Sequence, residues 1–130
     1  MKKLILLTII STLMLSCKKE NNITKTITSG TWSISQYIDS GTDETNHFTG
    51  YTFNFNSNGA LVAIKNGDGV VGTWSEYTDD DYTKLNILFS QDTLAELNDD
   101  WHVKSESDTK IELEDISGGN GGIDYLTFIK

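Results

Sequence analysis

Proline and arginine are absent from this 130-residue chain, and cysteine occurs once. One cysteine cannot close an internal disulfide, so any fold must be held by its core alone. Without arginine there is no bidentate clamp for a carboxylate or phosphate; lysine offers only a point charge. Ten lysines face nineteen aspartates and glutamates, for a net charge of −9. Nucleic acids and anionic surfaces call for clustered basic residues, so nucleic acid is excluded as a partner. Histidine is scarce too. His47 and His102 are far apart in sequence, and no nucleophile-elbow motif accompanies them. The chain therefore reads as a non-enzyme, with no catalytic residues, cofactor or metal. The longest apolar run, residues 4–15, is broken by Thr8, Ser11 and Thr12. It falls short of the roughly 20 residues that span a bilayer.

That run has a different meaning. Lys2 and Lys3 precede it, and the order of charge, apolar stretch and small residue is that of a secretory signal over residues 1–16. Leu13-Met14-Leu15-Ser16-Cys17 resembles the bacterial lipobox, which implies cleavage before Cys17 and lipid on its sulfur. Stable attachment needs more than one acyl chain, and lipoproteins of this kind carry two or three. The expected partner is thus a membrane, reached through the lipid on Cys17. Lys18 stands where an Asp would signal inner-membrane retention, which points to the outer membrane. Lys18-Lys19-Glu20 resembles the charged stretch of Bacteroidota lipoproteins, leaving the periplasmic and surface leaflets both open. Residues 17–29 read as the lipidated cysteine and a polar tether. Taking away Lys2 and Lys3, the only charged residues of 1–16, leaves an exported part of net charge −11.

Residues 30–130 form one domain's worth of chain. Period-2 alternation dominates. Trp32, Ile34 and Ile38 fall on one face of a first strand, with Gln36 the exception. Tyr51, Phe53 and Phe55 alternate with Thr52 and Asn54. Asn56-Ser57-Asn58-Gly59 and Asn66-Gly67-Asp68-Gly69 are turn signals around a strand at 60–65. A strand over 70–77 carries Trp74, a polar loop follows at 78–81, and 83–90 places Leu85, Ile87 and Phe89 together. Leu94 and Leu97 then have helical spacing, with Thr93 and Glu96 as a capping box over a helix at 94–98. Strands resume at 101–106, 110–116 and 123–130, the last two separated by a glycine-rich loop. His102 alternates with Trp101 and Val103 and is assigned to the solvent face. The fold class is all-β: about eight antiparallel strands, with one short helix before the sixth. Closure into an up-and-down barrel would remove the exposed edges.

Gly30-Thr31-Trp32 at the head of the first strand, Gly72-Thr73-Trp74 in the fourth and Leu126-Thr127-Phe128 at the end resemble the lipocalin-like lipoproteins of Bacteroidota. The resemblance implies a barrel whose first Trp plugs one end. The lipocalin arginine that packs over that Trp has no counterpart here. The implied role is binding or carrying a small apolar molecule at the cell envelope, with Tyr51, Phe53, Phe55, Trp74 and Phe89 as walls. A barrel of this size holds one small ligand or is filled by its own side chains. Three Trp, five Phe and five Tyr are enough to fill it, which leaves open an interaction module for protein or glycan, with Tyr37 and Tyr77 as exposed aromatics. Asp79, Asp80 and Asp81 read as a solvated turn, not a Ca²⁺ site. Asp92-Thr93-Leu94 resembles the O-glycosylation sequon of exported Bacteroidota proteins, on a threonine that also serves as the expected helix cap.

Overall fold

The computed structural model describes residues 23–116 and 122–130. The expected signal segment with Cys17 and the glycine-rich stretch 117–121 lie outside them. A short helix, α1 (Ile23–Ile27), precedes nine strands: β1 (Ser33–Asp39), β2 (Thr42–Asp43), β3 (Thr52–Phe55), β4 (Ala60–Lys65), β5 (Asp68–Asp79), β6 (Tyr82–Leu88), β7 (Asp99–Glu106), β8 (Lys110–Ile116) and β9 (Ile123–Ile129). All belong to one antiparallel sheet in the order β2-β1-β9-β8-β7-β6-β5-β4-β3. Strands β3 to β9 are sequential neighbours, and β1 returns to lie beside β9. This is the expected all-β up-and-down architecture. The ninth strand is the two-residue β2, so the segment expected as a helix before the sixth strand lies before the seventh, where it is a 3₁₀ turn. The ladder is not continuously closed. Its two sides meet at a single bridge, in which Trp32 and Phe53 exchange amide–carbonyl bonds of 2.9 and 2.8 Å.

Tight turns set the register. Ser40-Gly41, Asn66-Gly67 and Asp80-Asp81 each place two successive residues at positive φ, the conformation whose twist matches that of flanking antiparallel strands. Asp80-Asp81 corrects the loop expected at 78–81. Strand β5 runs on to Asp79, which pairs with Tyr82, because Asp tolerates the left-handed region better than most non-glycine residues. A second correction concerns β1. A bulge between Ile34 and Gln36 shifts its register against β9. One extra residue moves every later side chain to the opposite face. Tyr37, not Ile38, therefore enters the core, where it is 3% exposed.

The interior is made of inward-facing residues from every long strand. Phe128 sits edge-on to Phe53 (ring centroids 5.5 Å) and to Phe55 (5.4 Å), and Phe55 edge-on to Trp74 (5.8 Å). Each such pair contributes about 0.5–1.5 kcal/mol beyond simple burial. The two Gly-x-Trp tripeptides serve different ends. Gly30 adopts φ +89 where the chain turns into the first strand. Gly72 lies under the Phe89 ring, and a methyl group there would fall 2.5 Å from the Leu88 carbonyl oxygen and 2.6 Å from the ring.

The polar stretch expected as tether contains part of the core. Ile23 and Ile27, one helical turn apart, are fully buried beneath one end of the sheet. Their i, i+4 spacing puts both on one face, while the half-buried Thr24 and Thr26 meet the carboxylates of Glu76 and Glu106. Thr24 donates its backbone N–H and its hydroxyl to Glu76. Two findings follow in measurable form. A domain beginning at residue 28 should be about 4 kcal/mol less stable than one beginning at residue 21, since burying each isoleucine contributes about 1.5–3 kcal/mol; chemical denaturation reads this directly. Gly72→Ala should cost about 2 kcal/mol through overpacking, a loss that the same titration would register.

Candidate functional site

The five aromatic walls do not share one surroundings. Phe53 (0% exposed), Phe55 (2%), Trp74 (7%) and Phe89 (2%) are all in the buried cluster. Phe128 packs on Phe53 and Phe55, Phe55 packs on Trp74, Phe89 lies on Gly72, and the Trp74 indole donates to the Asn56 carbonyl at 2.9 Å. Tyr51 is only half-buried. It packs on Phe53, carries the Lys65 ammonium over its ring at 5.1 Å, and opens onto a surface hollow with His47, Asp92, Thr93 and Glu96.

That hollow belongs to the end of the barrel opposite α1. Here β1, β4, β6 and β8 end and β3, β5, β7 and β9 begin, a consequence of strict antiparallel order. Two 3₁₀ turns cover it, Thr45–Phe48 and Ala95–Leu97, each driving a side chain into the core: Phe48 and Leu97. The second turn replaces the helix expected at 94–98. Leu94 occupies its N-cap without a side-chain cap bond, so the Thr93–Glu96 capping box does not form. A single 3₁₀ turn is too short to present that geometry. Thr93 is exposed beside the hollow.

Tyr37 ties both turns to the sheet. Its carbonyl accepts from the Glu44 N–H (2.9 Å), its N–H donates to the Thr45 hydroxyl (2.9 Å), and its phenol donates to the Glu96 carbonyl (2.8 Å). Burial first, then the charges of Asp39, Glu96, Asp124 and Glu44, hold its ionisation well above the usual phenol range. It stays a neutral donor. Tyr37 was expected as an exposed aromatic; the bulge in β1 places it inside instead, and Tyr77 alone of that pair is exposed.

Two groups of potential ligand side chains converge here. Glu44, His47 and Glu96 form the first, with ligand atoms all within 4.8 Å of one another. His47 Nδ1 lies 2.9 Å from Glu96 Oε2 and 3.9 Å from Glu44 Oε2. The Glu96 hydrogen bond raises the His47 pKa, opposed by slight desolvation and aided by both carboxylate charges. The i, i+3 pair Glu44 and His47 was visible in the sequence; nothing there signalled Glu96. His102 is elsewhere, on the outer face as expected but partly covered, edge-on to Tyr82 at 4.3 Å and 3.6 Å from Glu114.

Asp99, Asp115 and Asp124 form the second group. Asp115 pairs with Asp124 across β8 and β9, and both alternate in phase with buried Leu113 and Leu126. They therefore sit in inward register at the rim. Asp124 accepts from the Ser40 N–H at 2.8 Å. Desolvation, a hydrogen bond with Asp99, and the charges of Asp99 and Asp124 raise the Asp115 pKa to about 6. A carboxyl whose pKa rises on folding binds more protons folded than unfolded. Its favourable contribution is complete below the unfolded value of 3.8 and is lost as pH rises toward about 6. Asp115→Asn should accordingly stabilise the protein by about 1 kcal/mol at neutral pH, after allowance for solvent screening, and have little effect near pH 4. Thermal melts of both proteins at the two pH values check this.

No protein-family model matches the chain, and no curated protein matches it. A solved structure does: a DUF4847 family protein from Bacteroides vulgatus, which aligns with 82% of this chain and 96% of its own at 14% identity and a TM-score of 0.55. That likeness is one of fold.

Proposed function

We propose that this chain is a lipoprotein of a Bacteroidota envelope, anchored through Cys17, and that its lipocalin-like barrel is a filled scaffold presenting a recognition surface at the acidic end. The observation that carries this reading is the packing of Phe53, Phe55, Trp74 and Phe89 against core partners. Side chains so engaged are poorly placed to line a cavity for an apolar guest. Specificity then falls to surface groups, and the acidic end carries the densest set of them. The Bacteroides origin of the structural neighbour fits the lipobox context.

Connectivity supports an orientation. Ile23 begins α1 only six residues after Cys17, a span of about 20 Å at full extension. The α1 end must therefore stay close to an anchoring bilayer, and the acidic end points away from it. Lys25 and Lys130 share one surface recess at the α1 end with Asp108, and Glu76 and Glu106 meet α1 there. Glu44, Glu96, Asp99, Asp115 and Asp124 gather at the other.

Cys17→Ser should release the protein from the membrane fraction; retention of the mutant there would end the anchoring claim. Native mass spectrometry of residues 21–130, after exposure to envelope lipid extract, should return the bare chain mass. A reproducible added mass, lost in Phe53→Asp or Trp74→Glu variants that still fold, would establish a carrier in place of the scaffold.

A further inference from the structure

We propose that Glu44, His47 and Glu96 constitute a Zn²⁺ site, with the fourth position open to water or to a donor from a binding partner. The inference rests on the acidic end alone and does not depend on lipidation of Cys17.

The donor set suits the ion. One imidazole nitrogen and two carboxylates match the three-ligand arrangement of open zinc sites, and imidazole favours zinc and its transition-metal neighbours over Ca²⁺ or Mg²⁺. Bonds of about 2.0–2.2 Å in tetrahedral directions require donors roughly 3.3–3.5 Å apart. The separations of 2.9 Å from His47 to Glu96 and 3.9 Å from His47 to Glu44 straddle that value. Modest rotations of exposed side chains would therefore close the site, with no movement of the backbone.

The backbone beneath the ligands is already fixed. Glu44 is the N-cap and His47 the third residue of one 3₁₀ turn, whose three-residue period places them side by side. Phe48, next to His47, is buried edge-on to Tyr37 at 5.1 Å. Leu97, next to Glu96, is fully buried. Tyr37 bonds to Glu44, Thr45 and Glu96 alike, so one core residue holds the two turns in register. Preorganisation of this kind lowers the cost of gathering ligands at the moment of binding. The nearest cation of the hollow, Lys65, is held over the Tyr51 ring. Zinc would take His47 as the neutral imidazole, so binding should weaken as pH falls.

The test is a zinc titration of the full chain, purified in detergent, against a chromophoric chelator at about pH 7.5. The expected result is one Zn²⁺ per chain, with affinity reduced at least tenfold in His47→Gln and in Glu96→Gln and unchanged in His102→Gln and Asp115→Asn. Co²⁺ should give the intense visible bands of a four-coordinate ion, and these should vanish in His47→Gln. Both His47 and Glu96 are exposed, so thermal melts should show all variants folded. Absence of stoichiometric zinc, or affinity and Co²⁺ bands that survive His47→Gln, would overturn the proposal. Loss in Asp115→Asn with retention in His47→Gln would also overturn it and move the metal to the aspartate cluster.

Discussion

Trp32 is the point on which the structure converges. Its backbone forms the bridge to Phe53 where the two sides of the sheet meet. Its indole N–H donates to the Ile27 carbonyl at 2.8 Å, which fixes α1 beneath the barrel. Lys130 lies over its ring at 4.6 Å and donates to the Ser29 carbonyl at 2.5 Å. A fully buried indole with its single donor satisfied leaves no polar debt inside the core. Chain entry, barrel contact and the end of the last strand are thereby tied to one side chain. Lys130 thus stacks a cation on the tryptophan without a guanidinium.

The rest of the molecule divides by polarity along the barrel axis. Apolar residues fill the middle, and inward-register carboxylates appear only where strands run out of the core. Glu76 and Glu106 do so near α1, and Asp99, Asp115 and Asp124 do so at the far rim. At the α1 end the carboxylates meet threonine hydroxyls of the helix. Burial raises the Glu106 pKa, a Thr26 hydrogen bond lowers it, and the neighbouring Glu76 charge raises it further. At the far rim they meet each other, which is unfavourable for folding and favourable for attracting cations.

Several elements were legible because their signal is local. Asn66-Gly67 marks its turn through backbone conformations that few residue pairs adopt. The alternation of Tyr51, Phe53 and Phe55 survives intact because β3 contains no bulge. Elsewhere local signals misled. The alternation of Trp32, Ile34 and Ile38 hid a bulge that only pairing with β9 creates. Leu94 and Leu97 have the spacing of a helix, yet both are drawn into the core from a 3₁₀ turn. Ile23 and Ile27 were masked by the threonines around them.

By itself the sequence determined the class of fold, the turns at Asn58-Gly59 and Asn66-Gly67 and the alternation that buries Phe53 and Phe55, since each depends on periodicity or on the conformational range of single residues. It also carried the lipobox resemblance at Cys17, which needs no fold to be read. Only the tertiary structure decided that the expected ligand walls pack on core partners, that Tyr37 turns inward, and that Glu96 comes within 2.9 Å of His47 from 49 residues away. These outcomes rest on strand register and on contacts between distant segments. No local pattern encodes them, because the energy that selects them exists only once the sheet has assembled.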